Sequence, residues 1–489
     1  MRRHIRHRVR GDFGQHEGMS PQSLRVSPRS PLAAGAGPAR PDSDRGGAAA
    51  GTLSGPRGAA LYIGALLGPG LLLLPGLAAA EAGPASILAW LGLLCLSGLF
   101  AVVFSSLGRA YPSAGGVSGY AAAGLGARAG TVAGASFLVG VVCGAPLVCL
   151  IGASYVTDLT GGGTALRCLI AAVLLLVVLA LASGGLRTST TAQLILVSLL
   201  TAVIVAALVG AAPAARAANW LPFAPHGWAS IGRAGATLMF SFVGWEAVAP
   251  LTGRFRDPAR QLPRVVGTAL AVTTVLYLGL AVATIAVLGR GAATDVPLAG
   301  LLAHAVGGEG RLVAAAAAVV LTLGTTNAYL SGAVTMAREF AGRSPGRVDR
   351  SAGSADRWPG REDRSAGSAD RWPGGLGRSP DKSSDRRFLT VIAVAGVVLL
   401  ALYGAGLVTS AELVGVPTTL FLAVYLCCTL SAARTLRGAA RGCSMVAFVG
   451  VAVLLAFCGW ALAFAAGVAV VAALFGGRCR RRSDLPGVV

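Results

Sequence analysis

Residues 64–76 read GALLGPGLLLLPG, an uncharged apolar stretch that contains two prolines and four glycines. Such a stretch favours a helix, yet Pro69 lacks an amide donor and its ring clashes with the preceding turn. The glycines on both sides of Pro69 tolerate non-helical torsions at little steric cost. The pattern therefore predicts a helix that is broken near Pro69.

The composition around this stretch excludes an ordinary soluble domain. Of 489 residues, 54% are apolar and 12% are charged, whereas soluble domains are roughly 25% charged. Several uncharged apolar runs reach the ~18 residues that mark a candidate membrane span. We therefore predict an all-α integral membrane protein.

Apolar runs bounded by charges or by Pro/Gly clusters predict about 12 transmembrane helices. Helices 1–8 would occupy residues 58–337, and helices 9–12 would occupy residues 388–476. The individual predicted spans are 58–80, 84–108, 131–157, 165–183, 191–212, 229–252, 265–289, 311–336, 388–408, 411–432, 443–457 and 460–475. The last two spans share one apolar run that is long for one span and short for two.

The distribution of basic residues favours twelve spans over eleven. If both chain ends and the even-numbered loops are cytoplasmic, 36 of the 41 basic residues lie on the cytoplasmic side, as the positive-inside rule expects. An odd number of spans would place one basic end outside. We therefore predict a multi-pass protein of the cytoplasmic membrane with both termini in the cytoplasm.

Three basic segments lie outside the predicted spans. Residues 1–57 and 477–489 are predicted cytoplasmic tails, and residues 338–387 are a predicted cytoplasmic linker. Residues 349–360 read DRSAGSADRWPG, and residues 363–374 repeat them without change. Low apolar content predicts that the first tail and the linker are disordered. Neither alternates aromatic residues with its charges, so we expect no nucleic-acid binding despite a net charge of +21.

A break at Pro69 would create a binding site inside the membrane. A continuous helix uses its own backbone groups, whereas a break exposes amide and carbonyl groups. The amide groups of Gly70, Leu71 and Leu72 would face outward at the N-terminus of a half-helix, where they could bind a carboxylate. The alternative is a kink or a close helix contact, because glycine and proline are common in membrane helices.

Predicted helix 6 contains a second cluster of this kind. Residues 240–246 read FSFVGWE, and Glu246 is the only carboxylate placed well within a predicted span. An intramembrane acid is costly and is a functional candidate by default, although it could instead line a vestibule or form a structural hydrogen bond. In helix 8, the hydroxyl group of Thr325 could bind an ion or the substrate. The alternative is that it forms only a structural hydrogen bond to a neighbouring helix.

Three motifs together resemble the amino acid, polyamine and organocation transporter superfamily. Helix 1 carries the pattern G-x-x-x-G-x-G-x-x-x-x-P, and helix 6 carries F-x-G-x-E followed by the basic residues 253–264. Residues 111–116 read YPSAGG and resemble a cytoplasmic segment of that family. The motifs occur in the family's order and spacing, and the resemblance covers residues 58–437. Helices 1 and 6 resemble most the exporters of methionine and branched-chain amino acids.

The resemblance implies both a fold and a site. Helices 1–5 and 6–10 would form two inverted five-helix repeats, with broken helices 1 and 6 beside a central site. The substrate carboxylate would meet Gly68–Leu72. Its ammonium group would meet backbone carbonyl groups near Leu66, Leu67, Ser241 and Phe242. Phe240 would be an aromatic gate, and Glu246 would match an acid near the inner gate.

The implied site has apolar or small walls, at residues 143–146, Phe240 and Val243, which favours a substrate with an uncharged side chain. The chain departs from the family pattern at Arg254, where an acid is usual. Its only lysine is Lys382, so the helix 5 lysine of some proton-coupled relatives is absent. Coupling to protons and coupling to sodium both stay open.

We therefore expect a secondary active transporter, a permease or an exporter, that moves neutral amino acids by alternating access. The alternatives are a membrane-embedded enzyme and a non-transporting sensor built on the same fold. An enzyme would need clustered acid, base or metal-binding groups, whereas the carboxylates near the spans are scattered and the nine cysteines form no C-x-x-C pair. We expect no enzymatic activity, cofactor or metal. The expected partners are an amino acid and the lipid bilayer.

Overall fold

The computed structural model describes residues 55–111, 116–184, 190–245, 258–342 and 382–481, and these contain α-helices, short 3₁₀ segments and no β-strand. The helices are α1 (Gly55–Leu66), α2 (Gly70–Ala82), α3 (Ser86–Ala110), α4 (Gly116–Leu125), α5 (Ala127–Thr160), α6 (Thr164–Ser183), α7 (Thr190–Ala211), α8 (Ala229–Leu238), α9 (Pro258–Leu288), α10 (Pro297–Val306), α11 (Glu309–Gly342), α12 (Lys382–Gly404), α13 (Ser410–Thr435), α14 (Ala439–Ala456) and α15 (Ala461–Arg481).

Nine stretches of the described residues are long and apolar enough to cross a membrane. They are Gly70–Ala110, Ala127–Thr160, Thr164–Ser183, Thr191–Ala214, Arg260–Ala292, Glu309–Arg338, Asp385–Gly404, Ser410–Thr435 and Ala439–Ala456. The prediction of an all-α protein with several membrane spans is confirmed in this form. The number of twelve spans stays a prediction, since residues 246–257, within and after predicted helix 6, lie outside the described residues.

Helix α5 lies at the centre of the packing. It contacts α4, α6, α11, α12, α13 and α15. Its glycines allow neighbouring helices to approach closely, as is common in membrane proteins. A Cβ atom added at Gly152 would lie 2.6 Å from the hydroxyl oxygen of Thr322 on α11. A Cβ atom at Gly140 would lie 3.2 Å from the ring of Phe421 on α13.

Helices at the periphery expose large apolar side chains instead. Leu176 on α6, Val209 on α7 and Val397 on α12 are 63%, 69% and 68% exposed. Exposed apolar surface of this extent is unfavourable in water but matches the hydrocarbon of a bilayer. The distribution of apolar side chains therefore agrees with a protein whose outer helices face lipid.

The described helices extend into both ends of the predicted linker. Helix α11 continues to Gly342, and α12 begins at Lys382, so the segment is helical at the two ends where the sequence predicts disorder. The Nε of Arg338 donates a hydrogen bond to Asp385 at 2.6 Å, and this ion pair joins α11 to α12. Likewise, α15 continues to Arg481, into the predicted C-terminal tail. Both copies of the duplicated segment and residues 1–54 lie outside the described residues.

Candidate functional site

The first interruption separates α1 from α2. Helix α1 ends at Leu66 and α2 begins at Gly70. The N–H groups of Leu71 and Leu72 donate hydrogen bonds to the carbonyl groups of Gly68 and Pro69, at 3.2 and 3.0 Å. These bonds occupy two of the three amide groups that the sequence assigns to an anion site. They leave Gly70 as the donor that is not tied into the first turn of α2.

The second interruption follows α8. The chain continues from Leu238 through a 3₁₀ segment, Met239–Phe242, and then becomes extended at Val243, with φ −73° and ψ 129°. Gly244 has φ +150°, a torsion that residues with a side chain rarely adopt. The glycine of the FSFVGWE stretch therefore permits the change of chain direction at this point.

Tyr277 on α9 joins the two interruptions. Its hydroxyl group lies within hydrogen-bond distance of the carbonyl oxygen of Leu66, at the end of α1, and donates to that of Ser241 at 2.8 Å. Tyr277 is completely buried. A hydroxyl group carries one proton, so the two carbonyl oxygens share a single donor. The Leu66 oxygen also accepts from the N–H group of Gly68 at 2.8 Å. Loss of the donor at a buried carbonyl group such as that of Ser241 costs about 1–3 kcal/mol.

Three further tyrosines satisfy backbone groups at the interruptions. Tyr155 on α5 donates to the carbonyl oxygen of Leu72 at 2.6 Å. Tyr329 on α11 donates to that of Val243 at 3.3 Å. The hydroxyl group of Tyr425 on α13 accepts from the N–H group of Gly244 at 3.3 Å. Buried backbone groups without a water partner need such side-chain partners in a membrane.

A cavity lies where the two interruptions meet. It has about 510 Å³ of empty space, including its mouth, and is walled by both interruptions and by α5, α11 and α13. The predicted site residues that line it are Gly68, Gly70, Phe240, Val243 and Thr325. Thr326 and Tyr329 add hydroxyl groups, and none of the described lining residues is charged. The site can therefore offer a ligand backbone groups, hydroxyl groups and apolar walls.

The other predicted site residues border the cavity without lining it. Leu66, Leu67, Leu71, Leu72 and Phe242 are at most 1% exposed, and Ser241 is 2% exposed. Only their backbone groups, or the hydroxyl group of Ser241, are suited to meet a ligand. Glu246 lies outside the described residues, so its role stays a prediction.

Sequence reasoning missed several lining residues. Gly140 on α5 and Tyr329 on α11 line the cavity, and both have a signal in the sequence. Gly140 and Gly144 form a G-x-x-x-G pair on one helix face, and Tyr329 follows Thr325 by one helical turn. Phe421 on α13 has no such signal, because it is one apolar residue among many.

The two interruptions pack closely against each other at residue 70. A Cβ atom at Gly70 would lie 2.9 Å from the hydroxyl oxygen of Ser241 and 3.2 Å from the ring of Phe240. The Ser241 hydroxyl oxygen is buried and has no hydrogen-bond partner in the described part of the chain. By contrast, a Cβ atom at Gly68 would meet no atom within 4 Å. The absence of a side chain at position 70, but not at position 68, is therefore required for this contact.

A loop before α10 closes over α2. A Cβ atom at Gly76 would lie 1.8 Å from the carbonyl oxygen of Thr294, so the loop rests directly on the α2 backbone. The next residue, Asp295, accepts a hydrogen bond from Arg167 on α6 at 2.9 Å. The same guanidinium nitrogen donates to Tyr403 on α12 at 2.9 Å. These contacts tie the loop to helices on two sides.

A buried carboxylate links the two helices that flank the interruptions. Glu81 on α2 accepts a hydrogen bond from the hydroxyl group of Thr237 on α8 at 2.8 Å. Its second oxygen is buried and has no partner among the described residues. Such a group is costly within a membrane, so Glu81 joins Glu246 as a candidate for a functional acid.

Comparison with known proteins identifies the family. The family model described as amino acid permease matches residues 53–342, which include both interruptions. The chain is 29% identical over 413 residues to an uncharacterised amino acid permease of Bacillus subtilis, YecA, covering 84% of this chain and 92% of the relative. It is 31% identical over 226 residues to the L-methionine/branched-chain amino acid exporter YjeH of Escherichia coli, covering 46% and 53%.

A third relative is the branched-chain amino acid permease BcaP of Bacillus subtilis, which is 26% identical over 237 residues, covering 45% of this chain and 51% of the relative. The family and these relatives are transport proteins rather than enzymes. The family model covers more than half of the chain, and its match agrees with the helical, apolar architecture. The chain belongs to the amino acid permease family, within the amino acid, polyamine and organocation transporter superfamily.

Proposed function

We propose that this permease is a secondary active transporter of neutral amino acids that works by alternating access in the cytoplasmic membrane. The observation that carries the proposal is the cavity between the two interruptions, whose described lining residues include no charged side chain. Backbone groups at broken helices can hold the two charged ends of an amino acid. Apolar walls suit an uncharged side chain, in agreement with the substrates named for two relatives.

The proposed architecture has twelve spans, with two inverted five-helix repeats and broken helices 1 and 6. The interruptions after Leu66 and after Phe242 support it, because they fall in the helices that would open the two repeats. Both termini are proposed to be cytoplasmic, since that arrangement places 36 of 41 basic residues inside.

The amide group of Gly70 is proposed to bind the substrate carboxylate. The carbonyl groups of Leu66, Leu67, Ser241 and Phe242 are proposed to accept from the ammonium group. The Ser241 and Phe242 oxygens already accept from tyrosines, but a carbonyl oxygen has two lone pairs and can take a second donor. The Leu66 oxygen already accepts from both Tyr277 and the N–H group of Gly68, so the ammonium group would replace one of these donors there. Phe240 is proposed to gate the cavity. Thr325 and Glu246 are proposed to take part in coupling to protons or sodium.

Transport by the purified protein in liposomes tests the proposal. Labelled neutral, acidic and basic amino acids would be offered in both directions, with a proton gradient, a sodium gradient or neither. Gradient-driven movement of neutral amino acids is the expected result. Failure to move any amino acid, although ligand still binds, would instead favour a sensor.

Converting the substrate carboxylate to an amide is expected to weaken binding about tenfold to a hundredfold, because a charge-assisted hydrogen bond is worth about 1.5 to 3 kcal/mol. The measurement is competition by the amide against labelled free amino acid. The control is a free amino acid of the same charge with a slightly longer side chain, which should lose much less binding affinity. An amide that competes as well as the free acid would contradict the proposed role of the α2 N-terminus.

Deleting residues 349–374 is expected to leave the transport rate within a few-fold of that of the intact chain. The duplicated segment contains little apolar surface to bury, and the deletion spares the ion pair between Arg338 and Asp385. The transport rate of the deletion variant is to be compared with that of Arg338→Gln, which breaks this ion pair. Loss of transport by the deletion variant at normal membrane levels would show that the segment has a required role.

A further inference from the structure

A groove between α13 and α14 has charged residues at one end and apolar residues along the rest. It encloses about 850 Å³ of empty space, including its open side, and is distant in sequence from both interruptions. Arg434 and Arg441 line one end, and Leu430, Met445, Phe448 and Val449 line the remainder. This combination matches a ligand with an anionic head and an apolar tail.

The two arginines lack protein partners. Neither guanidinium group forms a hydrogen bond or ion pair with another residue in the described part of the chain. Helix α14 contains no acid, and the only acid of α13, Glu412, lies at the opposite end of that helix. Arg441 is in the first turn of α14, where the helix dipole disfavours a cation. Helix stability therefore gives no reason for Arg441 to be basic.

The apolar part of the groove is open to the surroundings. Met445 is 47% exposed and Val449 is 58% exposed. They lie one turn apart on α14, and both follow Arg441 toward the middle of the helix. An acyl chain lying along these residues would extend into the membrane from a head group held at Arg441.

We propose that this groove binds one anionic phospholipid, with its phosphate between Arg434 and Arg441 and an acyl chain along Met445, Phe448 and Val449. Basic pockets between membrane helices on the cytoplasmic side suit anionic head groups. The site lies on the face that the proposed orientation assigns to the cytoplasm, although binding itself does not depend on transport.

Native mass spectrometry of the purified full chain tests the site. The probes are phosphatidylglycerol and phosphatidylcholine with identical acyl chains. We expect the unaltered chain to retain phosphatidylglycerol in preference to phosphatidylcholine. This preference should be about fivefold weaker in Arg434→Gln and in Arg441→Gln. Arg437→Gln is the matched control, because Arg437 is exposed on the connection between the same helices and does not line the groove. It should retain the preference of the unaltered chain.

Four outcomes would overturn the proposal. Equal retention of the two lipids would exclude selectivity for an anionic head group. An equal loss in Arg437→Gln would show diffuse attraction to basic residues rather than a site. A double variant of Arg434 and Arg441 that changes oligomeric state would show that a second copy occupies the groove. Glycerol phosphate, which lacks acyl chains, should not displace the lipid, and displacement would show a simple anion site.

Discussion

Gly70→Val is expected to lower the initial rate of transport at least about tenfold. A Cβ atom at this position would lie 2.9 Å from the Ser241 hydroxyl oxygen and 3.2 Å from the Phe240 ring, and valine adds two further carbons. Overpacking of a close contact costs about 1–3 kcal/mol, so the two interruptions would be forced apart. The amide of Gly70 and the carbonyl of Ser241 would then no longer face the same substrate.

Gly68→Ala is the matched control for this prediction. Both glycines line the cavity, but a Cβ atom at Gly68 would contact nothing within 4 Å. The Gly68→Ala variant should therefore keep the thermal stability of the unaltered protein. The transport rate of Gly70→Ala should fall between the rates of Gly68→Ala and Gly70→Val. Rates are to be measured in liposomes and normalised to inserted protein. Normal transport by Gly70→Val would refute the proposed approach of the two interruptions in the working site.

Tyr277→Phe is expected to destabilise the protein by about 1–3 kcal/mol, because the buried carbonyl oxygens of Leu66 and Ser241 lose their shared donor. If those oxygens also accept from the substrate ammonium group, bound substrate supplies the missing donor. A saturating neutral amino acid should then raise the melting temperature of Tyr277→Phe more than that of the unaltered protein. The measurement is thermal unfolding of the full chain in detergent.

Tyr155→Phe separates this effect from general destabilisation. Tyr155 is equally buried, and it also bonds a carbonyl group next to an interruption, that of Leu72. That oxygen is not proposed to meet the ammonium group, so substrate should stabilise Tyr155→Phe and the unaltered protein by similar amounts. Equal substrate-induced shifts in Tyr277→Phe and Tyr155→Phe would argue against ammonium binding at Leu66 and Ser241.

The position of the first interruption could be predicted from local sequence, because Pro69 and its flanking glycines act through their own torsions. The occupancy of its amide groups could not. Pro69 adopts φ −64° and ψ −15°, which turns the chain tightly enough for Leu71 and Leu72 to bond within the turn. Whether these amide groups bond within the turn depends on a few tens of degrees in one torsion angle. The residue types do not indicate the value of that angle.

The tyrosine partners of the interruptions could not be predicted from the local sequence either. Tyr277 and Leu66 are 211 positions apart, and a tyrosine in an apolar helix resembles any other buried aromatic residue. The same holds for Arg338 and Asp385, which belong to a polar stretch that the sequence predicts to be disordered. In these cases the contact between distant helices, rather than the composition of either segment, determines the local structure.

The contact between Gly76 and Thr294 gives a way to interpret other members of the family from their sequences. With the carbonyl oxygen of Thr294 only 1.8 Å from the site of a Cβ atom at position 76, no side chain fits while the loop stays in this place. A relative with a larger residue at the equivalent position must hold its loop elsewhere. Glycine there, together with an acid equivalent to Asp295 and an arginine equivalent to Arg167, would therefore identify the relatives able to close this loop in the same way.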